Sequence, residues 1–467
     1  MAFKNRRQQE LFVTSPILVA AEPTLVSRRT FKPSRVDSIV FYGIIGLLLF
    51  GPLAFGGVEP WSIFILEFGA SLLFLVWMIQ QIRSSALRVT RNPLFSPMFA
   101  FASLILVQLA TGRSAYKYET SSKALLYCAY GMLCFLAVQC LRRASQAKKL
   151  ALIVSIYGSS VALFALIQSL APNGRIYWLR EAHLGGWIYG PYVNHNHYAG
   201  LMEMLVPIPL VFCFTRYAYG VKRTIAGVAA AVMSSTIFLS GSRGGMFALA
   251  IEMILFAAVV MTGRKRPKAV IVGGIFLLVV FGLLTWVGGG ELANRMASIR
   301  TEARAEVSGG IRRAIDRDSL HMFMKKPVLG WGLGAFPVVY PQFRSFYTNF
   351  FVNEAHNDYL QLLVEMGALG FATMLWFLVV LWRTGLKKLH DWAVNINGAV
   401  TLAALLGCTG ILVHSFVDFN LHVPGNAALF YVLCILAASE PLLQSTPRRR
   451  SHSRELWASD EAPQPTS

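Results

Sequence analysis

Apolar residues run along most of this chain in stretches of about 17–25 positions, each long enough to cross ~30 Å of hydrocarbon as a helix. The stretches fall at about 37–56, 60–82, 94–111, 124–141, 150–170, 198–215, 224–240, 245–262, 269–288, 358–382, 397–416 and 425–444. The pattern predicts an all-α polytopic membrane protein with about twelve transmembrane helices. Two polar connections are longer than a turn needs: one from Ala171 to about His197, the other from about Gly289 to Ala355. Long irregular connections are uncommon unless functional. The second carries many charges, and short helices lying on the membrane surface are expected in it. The chain thus divides into a basic tail (1–36), helices 1–9 (37–288), a large loop (289–356), helices 10–12 (357–445) and a polar, Pro/Ser-rich tail (446–467) expected to be disordered.

Charge orients this layout. Every connection on one side is short and carries at least three Lys or Arg, such as Arg264, Lys265, Arg266 and Lys268, whereas the opposite turns after helices 1 and 11 carry none. Cationic loops stay in the cytoplasm. Both termini are therefore expected there, and both long connections outside. Of the 467 residues, 55% are hydrophobic and 14% charged, against ~25% charged in an average soluble domain. The net charge of +20 then marks topology and a bias toward anionic lipid. No aromatic-interleaved basic motif supports nucleic-acid binding. The first thirty-five residues are basic and polar without an apolar core, so no cleavable signal peptide is expected. Cys128, Cys134, Cys140, Cys213, Cys408 and Cys434 all lie in apolar segments outside any CxxC or Cys/His cluster, and read as small packing residues.

Four constellations sit at the external ends of the predicted helices. His356-Asn357-Asp358-Tyr359 opens helix 10, and Gly367 and Gly370 follow 11 and 14 positions after His356. At ~100° per residue the three share one stripe. The glycines would admit a neighbouring helix and fix His356 at the mouth of the bundle, where a neutral imidazole suits a general base. A histidine that caps or anchors a helix end fits equally. Ser242-Arg243-Gly244-Gly245 forms the tight turn between helices 7 and 8. Its guanidinium suits a diphosphate and its glycines permit close approach to a ligand. The alternative is an arginine snorkelling to headgroups.

The large loop carries Gly310-Ile311-Arg312-Arg313, Arg317 and Lys325-Lys326-Pro327-Val328-Leu329-Gly330-Trp331-Gly332. This basic segment suits either an anionic donor or lipid headgroups. Its glycines do not form a dinucleotide site, because no strand precedes them. Asn194-His195-Asn196-His197-Tyr198 precedes helix 6, and Asp418-Phe419-Asn420-Leu421-His422 joins helices 11 and 12. No carboxylate ligand is near the two histidines in sequence, so sugar hydroxyls or helix capping suit these residues better than a metal. Glu67, Glu203, Glu252 and Glu365 are ionisable residues inside predicted spans. Such residues mark functional pathways by default, which makes a proton-coupled transporter the rival class.

Taken together these segments resemble the O-antigen ligase family of bacterial envelope glycosyltransferases, which also contains polysaccharide polymerases. The resemblance rests on His356-Asn357 with Gly367 and Gly370, on Ser242-Arg243-Gly244, on the loop segment from Gly310 to Gly332, and on Asn194 to Gly200. It covers roughly residues 190–435; the first five helices match in layout only. Asp316 stands where the family usually has an aromatic, and Arg312 and Arg313 compete for its loop arginine, with Arg312 favoured on spacing. The resemblance implies a bacterial inner-membrane protein whose large loop, between helices 9 and 10, is periplasmic. It implies transfer from an undecaprenyl-diphosphate-linked glycan donor to lipid A-core or a second lipid-linked glycan, without metal or other cofactor. His356, Arg243 and Arg312 would be catalytic. Asn194, Asn196, His197, Arg313, Arg317, Asn357, Tyr359, Asp418 and His422 would bind substrate.

Overall fold

The computed structural model describes residues 35–84, 89–181, 187–262, 309–348 and 351–439, together with 274, 278 and 282. The apolar runs fold as α1 (Arg35–Leu53), α2 (Pro60–Arg83), α3 (Phe95–Ala110), α4 (Lys117–Cys140), α5 (Ala144–Leu170), α6 (His195–Leu205), α7 (Pro207–Phe214), α8 (Val221–Ser240) and α9 (Arg243–Met261). The large loop holds α10 (Gly309–Lys325). It is followed by α11 (Asp358–Leu386), α12 (Ile396–His414) and α13 (Pro424–Ala438). Among the described residues nine helical stretches are long and apolar enough to cross a membrane, α6 and α7 counting as one, and α3 and α13 are shorter apolar helices. Together they cover every predicted run except 269–288, which lies outside the described residues apart from 274, 278 and 282. Most of both tails, and the loop before Gly309, lie outside them too.

Local chemistry explains the irregularities. The sixth run divides at Pro207, which has no N–H for the helix ladder. The first long connection contains a small hairpin, Arg175–Ile176 against Arg180–Glu181, so the chain is not wholly helical. Arg180 pins it to the bundle through Glu59 at 2.6 Å. At the centre of the bundle α12 packs against α6, α7, α9 and α13. Small residues allow this: a Cβ on Gly407 would lie 2.9 Å from the backbone of Met204, which is how tightly packed membrane helices approach.

The large loop does more than lie on a surface. Ile315, Met322, Phe336, Val339, Tyr340, Val352 and Val364 bury one another in a core of their own. Its Pro327–Gly332 segment enters a break in α11. Trp331 N–H donates to Val364 O at 2.9 Å, Gly332 N–H to Glu365 O at 2.9 Å, and Ala368 N–H to Pro327 O at 2.7 Å. From α3, Gln108 donates to Leu329 O at 2.6 Å and Glu365 O at 2.8 Å. Loop and side chain thus supply the partners that the broken helix lacks.

The break corrects the expected stripe. Gly367 has φ 66° and ψ −170° and interrupts α11, and His356 lies before the helix, whose N-cap is Asn357. The three residues therefore share no continuous helical face. A Cβ on Gly367 would overlap the Val328 carbonyl and sit 2.7 Å from Gly330 N. One on Gly370 would press on Met366 of the same helix. Gly367 therefore admits the loop rather than a neighbouring helix, and Gly370 makes room for Met366.

Candidate functional site

Three N-caps and one turn assemble the site. Asn194 accepts from Asn196 N–H at 2.8 Å and starts α6. Ser242 accepts from Gly245 N–H at 3.1 Å and starts α9. Asn357 accepts from Tyr359 and Leu360 N–H at 3.2 and 3.1 Å and starts α11. Such side chains satisfy donors that the first turn leaves unpaired. All three helix starts meet the turn after α12, residues 415–419. Asp358 N–H donates to Ser415 O at 3.0 Å, and Tyr359 Oη–H donates to Leu412 O at 2.7 Å. A Cβ on Gly244, next to Arg243, would stand 2.9 Å from Val417 Cγ2. From the loop, half-buried Arg312 donates from Nη1 to Val417 O at 3.1 Å.

Asp418 is the electrostatic centre. Its Oδ1 lies 3.7 Å from His356 Nδ1 and 3.8 Å from His197 Nε2, and accepts the Phe419 N–H at 2.8 Å. The Phe419 ring stands edge-on to both imidazoles, at 4.9 and 4.6 Å between centroids. Burial pushes the Asp418 carboxyl up, but the two imidazoles beside it outweigh that and hold it well below the ordinary carboxylate range. Across the site, burial raises Asp316, against the pull of Arg312 and His356 nearby. His356 has φ 56°, a left-handed conformation unusual for a side chain with a Cβ.

A second layer of charge lies beneath. Asp358 Oδ1 pairs with His422 Nδ1 at 2.6 Å, and its Oδ2 accepts Leu421 N–H at 3.1 Å. Burial lowers His422, but Glu354, Asp358 and Glu365 outweigh it and raise the imidazole to about 9. Gln361 links Glu354 to Glu365, and Glu365 accepts the Gly334 N–H at 2.8 Å, so the loop is held by the same network.

The structure brings His356, His197, Asp418, Arg312 and the Arg243 turn to one end of the bundle, with Asp358, Tyr359 and His422 behind them. Asn196 is buried within the first turn of α6. Arg313 and Arg317, one and five positions beyond Arg312, are exposed on α10. Among the described residues no group of three or more His, Cys, Asp or Glu side chains has the spacing to hold a metal ion.

Sequence reasoning gave His195 no role beyond a sugar contact or a helix cap, and passed over His414. His195 stacks on Trp187 at 4.7 Å, and its Nδ1–H donates to Ser240 O at 2.8 Å, because a carbonyl can only accept. Alternate members of Asn-His-Asn-His therefore serve opposite neighbours: His195 the arginine turn, His197 Asp418. His414, at the end of α12, is buried against Glu203 of α6 with Nδ1 to Oε1 at 2.8 Å. A histidine near the end of one apolar run, with a glutamate inside another, was the signal available in the sequence.

A family model described as O-antigen ligase matches residues 228–375, which take in the Arg243 turn, Arg312 and His356. No curated protein matches the chain significantly.

Proposed function

From the premise that residues 228–375 carry the pattern of the O-antigen ligase family, we propose that this protein is a membrane glycosyltransferase of ligase or polymerase type. It moves a glycan from an undecaprenyl-diphosphate carrier to an acceptor hydroxyl on the periplasmic face of the bacterial inner membrane. The product is either O-antigen joined to lipid A-core or a lengthened lipid-linked polysaccharide. The observation that carries this reading is convergence: Gly244 beside Arg243, the Arg312 guanidinium, and His356 through Asp418 all meet Val417–Asp418.

In this reading the guanidiniums of Arg243 and Arg312 grip the diphosphate, and Arg312 is preferred over Arg313 because it reaches back to Val417. His356 Nδ1 faces the Asp418 carboxylate, which leaves Nε2 to take the proton of the acceptor hydroxyl. The acceptor oxygen bonds to the anomeric carbon as the carbon–oxygen bond to the diphosphate breaks, with inversion. The bonding pair leaves with the diphosphate, whose growing charge the arginines stabilise. Asp418, held ionised, favours the imidazolium that forms. The step needs neither a metal nor a nucleotide sugar. His197, Asn196, Tyr359, His422, Arg313 and Arg317 line or support the surroundings in which the two substrates meet.

The test is the surface-glycan profile of a host lacking the protein, complemented with wild type, His356→Ala or Arg243→Ala at matched membrane levels. Loss of long-chain glycan that neither variant restores supports the reading. Accumulated lipid-linked polymer then identifies a ligase, and accumulated single repeats a polymerase. Full restoration by both variants overturns it. A transporter or flippase is the second reading, favoured by Glu252. This residue is fully buried in α9, and neither carboxyl oxygen has a hydrogen-bond partner among the described residues. It gains ground if both variants restore the profile.

A further inference from the structure

Beneath the Arg243 turn lies a chain of three buried side chains from three helices that the proposed chemistry does not use. Ser242 caps α9, with its Oγ accepting the Gly245 N–H at 3.1 Å. That leaves the hydroxyl hydrogen to point elsewhere, and His414 Nε2 stands 3.5 Å from Oγ. His414 Nδ1 in turn meets Glu203 Oε1 at 2.8 Å. All three residues are 0–1% exposed. With a neutral imidazole and an ionised Glu203 the donors and acceptors run in one direction: Ser242 O–H to Nε2, then Nδ1–H to the carboxylate.

The glycines of the turn are shaped around this chain. A Cβ on Gly244 would lie 2.6 Å from His414 Nε2, and one on Gly245 would lie 2.7 Å from Ala199 Cβ and 3.1 Å from Glu203 Oε1. The two residues after Arg243 thus leave room for other helices: Gly244 for His414, and Gly245 for Ala199 and the Glu203 carboxylate. His414 is also the last residue of α12, and its carbonyl accepts the Asp418 N–H at 3.1 Å. The same residue therefore touches the arginine turn through its ring and the Asp418 turn through its backbone.

The structure assigns Glu203 and His414 as positioning residues that act through Ser242 to hold the Arg243 turn in register with the Asp418–His356 side of the site. This deepens the glycosyltransferase reading and rests on it for what Arg243 holds. Glu203 fixes which imidazole nitrogen bears the hydrogen. His414 fixes the Ser242 rotamer, and Ser242 fixes the first turn of α9. Buried chains of this kind orient groups more sharply than one contact does, since each member restricts the next.

The experiment measures binding of undecaprenyl diphosphate to the purified full-length protein in detergent, beside transfer kinetics with a lipid-linked glycan donor. Variants are compared at matched thermal stability and elution volume. His414→Ala, Ser242→Ala and Glu203→Leu are each expected to raise Kd and the donor KM by about tenfold, the worth of one net hydrogen bond of ~1.4 kcal/mol. The acceptor KM should stay within about twofold. A purely structural defect would instead lower the active fraction, and so kcat, at constant KM. Glu203→Gln keeps an acceptor for Nδ1–H and should recover to within about threefold of wild type. The double variant Ser242→Ala/His414→Ala should remain near tenfold, because the two residues act in series.

An additive hundredfold loss, or wild-type donor affinity in Ser242→Ala and His414→Ala, overturns the inference. So does a Glu203→Gln variant as defective as Glu203→Leu, which would mean that the carboxylate's charge or proton is what counts. Arg243→Ala is the control that separates the two readings. If it binds the diphosphate like wild type, the arginine clamp itself fails. If it loses binding while the relay variants do not, only the positioning role fails.

Discussion

At the scale of single residues, the site is built from side chains placed where their ordinary chemistry is constrained. His356 is held at φ 56°, a conformation that costs roughly 1–2 kcal/mol for a residue with a Cβ, by the Asn357 cap after it and by Asp418 and Phe419 against its ring. Arg243 and Arg312 are proposed to act as planar forks, so Arg243→Lys should lose most of the transfer activity, by about tenfold or more, although the charge is kept. Full activity in that variant, measured by glycan profiling, would mean that charge alone suffices. His422 supplies a pH dependence. Its folded value of about 9 lies above its ordinary 6.5, so its interactions with Glu354, Asp358 and Glu365 contribute stability that is full below the ordinary value. That contribution is lost as pH rises through about 9. Melting of the detergent-solubilised protein should show this decline, and His422→Gln should flatten it.

At the scale of elements, helix starts and a helix break decide the architecture. Replacing the Asn357 cap with Ala should cost ~1 kcal/mol of stability, read by thermal unfolding. Gly330 and Gly367 face each other across the loop–helix junction, both in left-handed backbone, and a Cβ on either would overlap the partner segment's backbone. Gly367→Ala or Gly330→Ala should destabilise by ~2 kcal/mol or more and make α10 more accessible to protease. Gly131→Ala in α4 meets nothing within 4 Å. It should be neutral or slightly stabilising, since alanine is the better helix former.

At the scale of the whole molecule, charge sorting predicts that the loop cap lies outside and the α7–α8 connection inside. Single cysteines at Tyr347, 87% exposed in the loop, and at exposed Lys222, in a background without the native cysteines, test this. Membrane-impermeant maleimide should label the first in intact spheroplasts and the second only after lysis. The reverse pattern would invert the topology and put the site on the cytoplasmic face.

The sequence by itself determined which stretches are helices wherever the residues are described, because a run of about 20 apolar residues has few other ways to satisfy its backbone in lipid. It also drew attention to Arg243, His356 and Asp418, because charges and imidazoles at the ends of apolar runs are rare enough to stand out, whereas Arg312 in the loop was chosen over Arg313 on the family resemblance. Period and spacing failed at Gly367. A glycine 11 positions after His356 reads as a helix face until a loop some forty residues upstream turns out to fill the break. The Glu203–His414–Ser242 chain was equally hidden, since its members lie up to 211 positions apart and nothing near Glu203, His414 or Ser242 in the sequence names the other two. Only packing decides such partners. A buried carboxylate or imidazole must find a hydrogen bond wherever the fold brings a neighbour, and the local sequence does not record which helix that will be.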